Sequence, residues 1–241
     1  MRGVVEYVEV ARGESERGEV VLRERHDPDA PAGSAAVLEL RVNGVFVMDT
    51  LETTTESALA RSALTRVERP AHVLVGGLGL GFTVREVLAD TRVERLVVAE
   101  IEDVLVGWFR DGTIPHGPST VADDRVHLAV ADVRQIVAES PPERFDLVLL
   151  DVDNGPDYLV HDSNASLYQA PFLGTLHAAM ASQGVLAVWA STPSTALART
   201  LDQVFGNSGC EEFPVLLQGK EESYWLHTAE KVQSHGQPEP S

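Results

Sequence analysis

From residue 71 onward, short apolar runs alternate with stretches whose apolar residues recur at helical spacing. Residues 73–75, 96–99, 126–130, 145–150 and 184–190 read as strands. Between them, Val84, Val87 and Leu88, then residues 104–109, the stretch from Val133, and residues 167–180 and 193–205 read as helices. The strand-forming runs at 73–75 and 145–150 are almost wholly apolar, as expected of strands covered on both faces. D-G-T-I-P-H-G-P-S-T and residues 153–164 read as loops. Residues 215–217 and 223–227 suggest a closing hairpin.

The first fifty residues follow a different period. Val4, Val8 and Val10 fall in one β-prone run, residues 19–25 in a second, and residues 37–42 alternate. Asn43-Gly44 is a hairpin turn signal, and residues 45–48 return. Residues 50–66 then look helical, with a threonine just before Glu56 as a candidate cap. The expected organisation is a small N-terminal antiparallel β domain with a linking helix over 1–66. An α/β domain follows over 67–230, and a disordered tail over 231–241. The strand–helix alternation predicts a doubly wound, mostly parallel sheet closed by an antiparallel strand pair.

V-L-V-G-G-L-G-L-G-F-T-V-R-E-V-L at 73–88 is the corner on which this plan turns. A strand runs into Gly77, Gly79 and Gly81, and a helix follows. Glycine lets the backbone turn tightly and lie against a ligand, and the helix N-terminus offers free N–H groups. The dinucleotide fingerprint needs glycine where Phe82 stands. The G-x-G-x-G spacing is instead that of S-adenosylmethionine (SAM) dependent transferases, and the fold class expected is the class I SAM-type Rossmann fold. A glycine turn that merely packs helix on strand is the plain alternative.

Composition narrows the choice. The 241 residues carry 44% hydrophobic positions, enough for a core, and a formal net charge of -18. That charge argues against nucleic-acid and anionic-membrane partners and mildly favours cationic substrates. The one cysteine, Cys210, excludes an internal disulfide and a cysteine metal cluster, and is expected in a loop or at a core edge. The start lacks the apolar run of a signal peptide and no stretch reaches membrane-spanning length, so a cytoplasmic protein is expected.

In open α/β sheets, ligands bind beyond the carboxyl ends of the strands. Glu100, Asp132 and Asp151 each follow a predicted strand. Glu100, nineteen residues after Gly81, is placed to accept ribose hydroxyls. Asp132 is placed to accept from an adenine amino group, to cap the helix from Val133, or both. Asp151 ends the apolar run L-V-L-L-D, where a carboxylate is costly unless paired or used. There it could hold or deprotonate an amine nucleophile. Asp153 and Asn154 either orient a substrate or form a turn. No histidine stands at ligand spacing beside these carboxylates, and His161 reads as a solvent-facing loop residue, so no metal is expected.

At this point the chain resembles the spermidine synthase family. Its G-L-G-L-G-F-T-V-R-E-V-L is similar to the family's G-G-G-D-G-G-T-x-R-E-V-L. A-E-I-E at 99–102 resembles V-E-I-D, and D-D-R-V-H-L-A-V-A-D-V-R at 123–134 resembles D-P-R-V-x-x-x-x-G-D-G-R. F-D-L-V-L-L-D, N-G-P and L-Y-Q-A-P-F resemble later motifs in the same order, over roughly 70–190. The resemblance implies a SAM or decarboxylated SAM donor. Glu100 would bind the ribose, Asp132 the adenine and Asp151 the attacking amine, with Gly77, Gly79, Gly81, Ile101 and Val133 also among the cofactor-binding residues. It also implies aminopropyl transfer within polyamine biosynthesis, a polyamine or other small amine as acceptor, and a homodimer.

Departures from the family pattern are specific. Leu80 stands where the family has the aspartate that holds the aminopropyl ammonium, and leucine accepts no hydrogen bond. The D-E-x-x-Y-H-E segment is replaced by L-E-T-T-T-E-S, leaving Glu56 as the candidate substrate contact, and D-S-S-D-P has become D-V-D-N-G-P. The expectation is therefore a spermidine synthase-like transferase moving an alkyl, aminopropyl group from a SAM-type sulfonium to an amine. SAM-dependent methyl transfer and a non-catalytic SAM-fold binding module are the alternatives. A nicotinamide oxidoreductase is disfavoured by Phe82.

Overall fold

A computed structural model describes residues 4–31, 33–152, 155–217 and 220–232. The chain opens with a four-stranded antiparallel sheet in sequential order: β1 (Glu6–Ser15), β2 (Gly18–His26), β3 (Val37–Val42) and β4 (Val45–Asp49). The β3–β4 turn is the expected Asn43-Gly44, with φ of 50° and 75°. Positive φ at both positions matches the twist of a tight hairpin. Helix α1 (Thr54–Leu64) follows. Its Thr53 N-cap makes no side-chain cap bond, which corrects the expected threonine cap; Thr54 instead turns its hydroxyl to Glu52.

Seven strands form the second sheet, in the order β10-β11-β9-β8-β5-β6-β7. They are β5 (His72–Gly76), β6 (Arg95–Glu100), β7 (Val126–Val130), β8 (Phe145–Leu150), β9 (Met180–Ala190), β10 (Gly209–Leu217) and β11 (Lys220–Glu230). The run from β7 to β9 is parallel, and β11 and β10 add antiparallel strands at the β9 edge. The chain winds outward from β5 through β6 to β7, then returns to place β8 on the other side of β5. The β5–β8 gap is thus a topological switch point. Gly76 pairs with Ala99 on one side and Leu150 on the other.

Helices cover both faces. On one side α1, α2 (Phe82–Ala89) and α3 (Asp103–Asp111) share a buried cluster with Val73, Val75, Val98 and Leu149. Val20, Leu22 and Leu40 of the small sheet belong to the same cluster, so the two sheets share one core. On the other side α5 (Val133–Glu139), α6 (Ala170–Ala179) and α7 (Thr195–Phe205) pack on Leu74, Val148 and Leu186.

Several bounds differ from the sequence reading. The stretch at 111–120 is not all loop: Pro118 at the start of a turn supports helix α4 (Gly117–Val121). A 3-10 turn (Asp162–Tyr168) ends the loop before α6, and α6 begins at Ala170 beside Pro171, later than expected. The closing hairpin is longer than its apolar segments because its outer residues are polar. Cys210 lies on β10 and is exposed, not in a loop or at a core edge. Lys231, expected in the disordered tail, donates from its backbone to Gly184 O at 2.9 Å and from Nζ to Met180 O at 2.7 Å. Residues 233–241 of that tail lie outside the described residues. Among the described residues no helix is long and apolar enough to cross a membrane.

Candidate active site

A cavity of about 380 Å³ opens between the small sheet and the carboxyl ends of β5, β6 and β8. The glycine loop forms its floor. Gly77 has φ 95°, and a Cβ there would sit 2.1 Å from the Asp151 carbonyl oxygen. Only glycine fits so close to the switch-point backbone. Gly79 has φ 51° and lies under Met48 of β4, whose Sδ would be 2.6 Å from an added Cβ. The same sulfur accepts the Leu80 N–H at 3.0 Å. Gly81, φ 80°, caps α2 from outside the cavity wall. His116 Nε2 donates to Leu80 O at 2.6 Å, since a carbonyl only accepts. Burial pushes the His116 ring toward its neutral form, against the opposing pull of that bond.

Glu100 ends β6 and is buried on the cavity wall. Its Oε2 accepts Leu78 N–H at 2.9 Å and its Oε1 accepts Glu102 N–H at 2.8 Å. It therefore braces the glycine loop. Burial raises its carboxyl above the usual range, against those backbone N–H bonds. Ile101 lines the cavity beside it.

Asp132 fills both roles weighed for it from sequence. It caps α5 by accepting Arg134 N–H at 2.8 Å, and it lines the cavity. Its carboxylate also takes the Arg134 guanidinium, which is fixed by Ser166 Oγ at 2.6 Å. Burial opposes ionisation, but Arg134 outweighs it and holds Asp132 below the usual range. Val133 is buried beneath Gly76.

Asp151 and Glu56 form the other end. Asp151 leaves β8, and its Oδ2 accepts the Thr83 hydroxyl at 2.7 Å. Burial raises its carboxyl, and Thr83 partly offsets that. Glu56, on the first turn of α1, accepts Thr55 Oγ1 at 2.6 Å. Burial first, then the charge of Asp151, pushes the Glu56 carboxyl up to about 7. Tyr224 of β11 stacks on Trp189 of β9, ring centroids 5.4 Å apart, and both rings line the cavity with Glu52.

The structure thus brings Gly77, Gly79, Glu100, Ile101, Asp132, Val133, Asp151 and Glu56 to one cavity. Asp153 and Asn154, the remaining substrate candidates, lie outside the described residues. His161 is a correction: it is partly buried and lines the cavity rather than facing solvent. Sequence reading missed Arg17, Met48, Glu52, Thr83, Trp189 and Tyr224. Thr83 had a local signal, two residues past the last loop glycine, and Glu52 stands four residues before Glu56 in the segment before α1; Met48, Trp189 and Tyr224 arrive from distant strands and Arg17 from the β1–β2 turn, and these had none. Leu80 is fully buried in the core and absent from the cavity wall.

The spermine/spermidine synthase domain family matches residues 52–203, more than half of the chain. Polyamine aminopropyltransferase 2 of Pseudomonas aeruginosa is 33% identical over 158 residues, 61% of this chain and 43% of that protein. Putrescine N-methyltransferase 2 of Nicotiana tabacum is 28% identical over 128 residues, 52% of this chain and 34% of that protein. The crystal structure of spermidine synthase from Thermotoga maritima overlays with a TM-score of 0.75 at 20% identity, covering 93% of this chain and 73% of that one. A spermidine synthase in complex with the transition state analogue AdoDATO gives 0.76 at 20% identity, covering 93% and 74%. These overlays share the fold described above. The chain spans about half the length of the curated relatives it matches.

Proposed function

Because this chain belongs to the spermine/spermidine synthase domain family, we propose that it transfers an aminopropyl group from decarboxylated SAM to a small amine. The observation that carries this reading is the charge of the cavity. Asp49, Glu52, Glu56, Glu100, Glu102, Asp132 and Asp151 line it, against Arg17 as the one lysine or arginine among the described lining residues. A sulfonium and an ammonium are the ligands such a wall favours. The glycine cradle and the strand-end carboxylates fit a nucleoside, with Glu100 toward ribose and Asp132 toward adenine.

The reacting centre asks little of the protein beyond alignment and an uncharged nucleophile. The amine nitrogen attacks the carbon bound to sulfur, the C–S bond breaks, and its electron pair leaves with sulfur as a neutral thioether. Asp151, oriented by Thr83, holds the acceptor nitrogen. Glu56, with its carboxyl near 7, takes the proton that the amine must shed. Trp189 and Tyr224 offer ring faces to an alkylammonium chain. Leu80 gives the ammonium of the transferred group no acceptor, so that part falls to Glu52 on the cavity wall.

Mass spectrometry of reactions with decarboxylated SAM and a panel of diamines and polyamines tests the reading. The expected product is an amine heavier by one aminopropyl unit, together with 5′-methylthioadenosine. Turnover of SAM to a methylated amine, with decarboxylated SAM inert, would reassign the enzyme to methyl transfer. Binding of neither sulfonium would remove the catalytic reading.

A further inference from the structure

The reaction proposed above makes no use of I-P-H-G-P-S-T at 114–120, yet this stretch is tightly built. Ile114 is fully buried, and its carbonyl accepts the Gly117 N–H at 2.8 Å. Gly117 lies against α3: a Cβ there would sit 2.3 Å from Phe109 O, a backbone contact that cannot yield. The His116 carbonyl accepts Ser119 Oγ at 2.9 Å and Thr120 Oγ1 at 3.0 Å. The chain at His116 is thus fixed, and its half-buried ring packs against Phe82 and Phe109, 5.7 Å from each ring centroid. That ring meets the glycine loop where the loop leaves the cavity. Gly77, Leu78 and Gly79 line the cavity; Leu80 does not. Every part of Leu80 is anchored instead. Its side chain is fully buried, its N–H donates to Met48 Sδ at 3.0 Å, and its carbonyl accepts His116 Nε2–H at 2.6 Å. Gly79 and Gly81 flank it with φ of 51° and 80°. Glycine permits many backbone conformations, so the peptides between these two keep one orientation only while something holds them. A buried carbonyl left without a donor is costly, and a loop with glycine on either side can turn to find another.

We infer that His116 is a positioning residue of the nucleoside site: by donating to Leu80 O it sets the orientation of the loop that carries Gly79 along the cavity floor. The inference rests on reading the cavity as a nucleoside site, and it adds the α3–α4 corner to that site. His116 is not among the residues lining the cavity, so it acts through the loop and touches no reacting atom. Its effect therefore falls on the donor and spares the amine, which meets Asp151 and Glu56 at the other end.

Calorimetric titration with 5′-methylthioadenosine tests this without turnover. His116→Phe keeps a ring between Phe82 and Phe109 and removes the donor; the nucleoside should then bind about tenfold more weakly. His116→Gln sets an amide N–H₂ near the place of Nε2 and should recover most of that loss. In turnover, His116→Phe should raise KM for decarboxylated SAM by a similar factor and leave KM for the amine unchanged. Should Phe disturb folding, the unmodified protein supplies the readout: the His116 Nε2–H proton resonance, identified by its absence from His116→Gln, should shift on addition of 5′-methylthioadenosine and not on addition of the amine alone. A lowered Tm with unchanged nucleoside affinity, equal losses in the two variants, or a resonance unmoved by the nucleoside overturns the inference and leaves the nucleoside site standing. Failure of the unmodified protein to bind 5′-methylthioadenosine overturns both the inference and the function it rests on.

Discussion

At the scale of single residues, the proposed reaction divides the acceptor chemistry between Glu56 and Asp151, and the protonation of Glu56 makes opposite demands on activity and stability. Glu56 must be ionised to accept a proton, and its carboxyl lies near 7. Activity should therefore rise through pH 7, and Glu56→Gln should lower kcat about 10²-fold or more and remove that limb. Stability runs the other way. A carboxyl raised from 4.5 to about 7 binds more protons folded than unfolded between those values, so its contribution is present at low pH and lost as pH rises through 7. Across that window Glu56 costs the folded state up to about 3 kcal/mol. Melting of the free protein should show Tm falling from pH 4.5 to 7, with the fall reduced in Glu56→Gln. An unchanged slope would place the pair outside a shared low-dielectric site. Asp151→Asn keeps the Thr83 contact but not the charge; turnover should vanish while 5′-methylthioadenosine still binds. Glu100→Ala should do the reverse first, weakening the nucleoside by at least tenfold because it unties Leu78 as well as removing an acceptor.

Elements decide how much of this was legible. Gly77, Glu100, Asp132 and Asp151 were readable because each sits where a local pattern changes, strand to turn to helix, and an α/β sheet gathers such ends at one edge. The glycine loop offers a direct check. Gly77→Ala drives a Cβ against the Asp151 backbone, which cannot yield, so the protein should lose several kcal/mol of stability or fail to fold. Gly79→Ala meets the end of the flexible Met48 side chain instead, and should fold with a smaller loss and a weakened nucleoside site. Equal losses, measured by denaturant unfolding, would mean that strain at positive φ governs both. Met48, Trp189 and Tyr224 were not readable for the complementary reason. They belong to strands whose apolar pattern signals only burial, and what brings them to the cavity is the pairing of β9 with β11 and the docking of β4. Helix α4 was hidden because its short sequence carries glycine and proline, residues that punctuate loops as readily as they begin a turn of helix.

For the whole molecule, net charge and cavity charge act together. An overall charge of -18 read from composition alone disfavoured anionic partners and favoured cationic substrates only weakly. The fold concentrates part of it on one wall, opposite a small sheet whose Arg17 is already engaged by Glu102. The proposed donor is a cation and its nucleoside product is neutral, yet both would share the same adenine and ribose contacts. Their difference in affinity therefore isolates the field of the wall from its hydrogen bonds. Exposed charges are screened beyond about 8 Å at physiological ionic strength, and enclosed ones much less. Raising salt from about 0.02 to 0.5 M should weaken decarboxylated SAM several-fold, mainly through slower association, and leave 5′-methylthioadenosine within about twofold. Parallel salt dependence of the two ligands would show that the carboxylates act as hydrogen-bond acceptors alone. The acidic composition would then serve solubility rather than capture of the sulfonium.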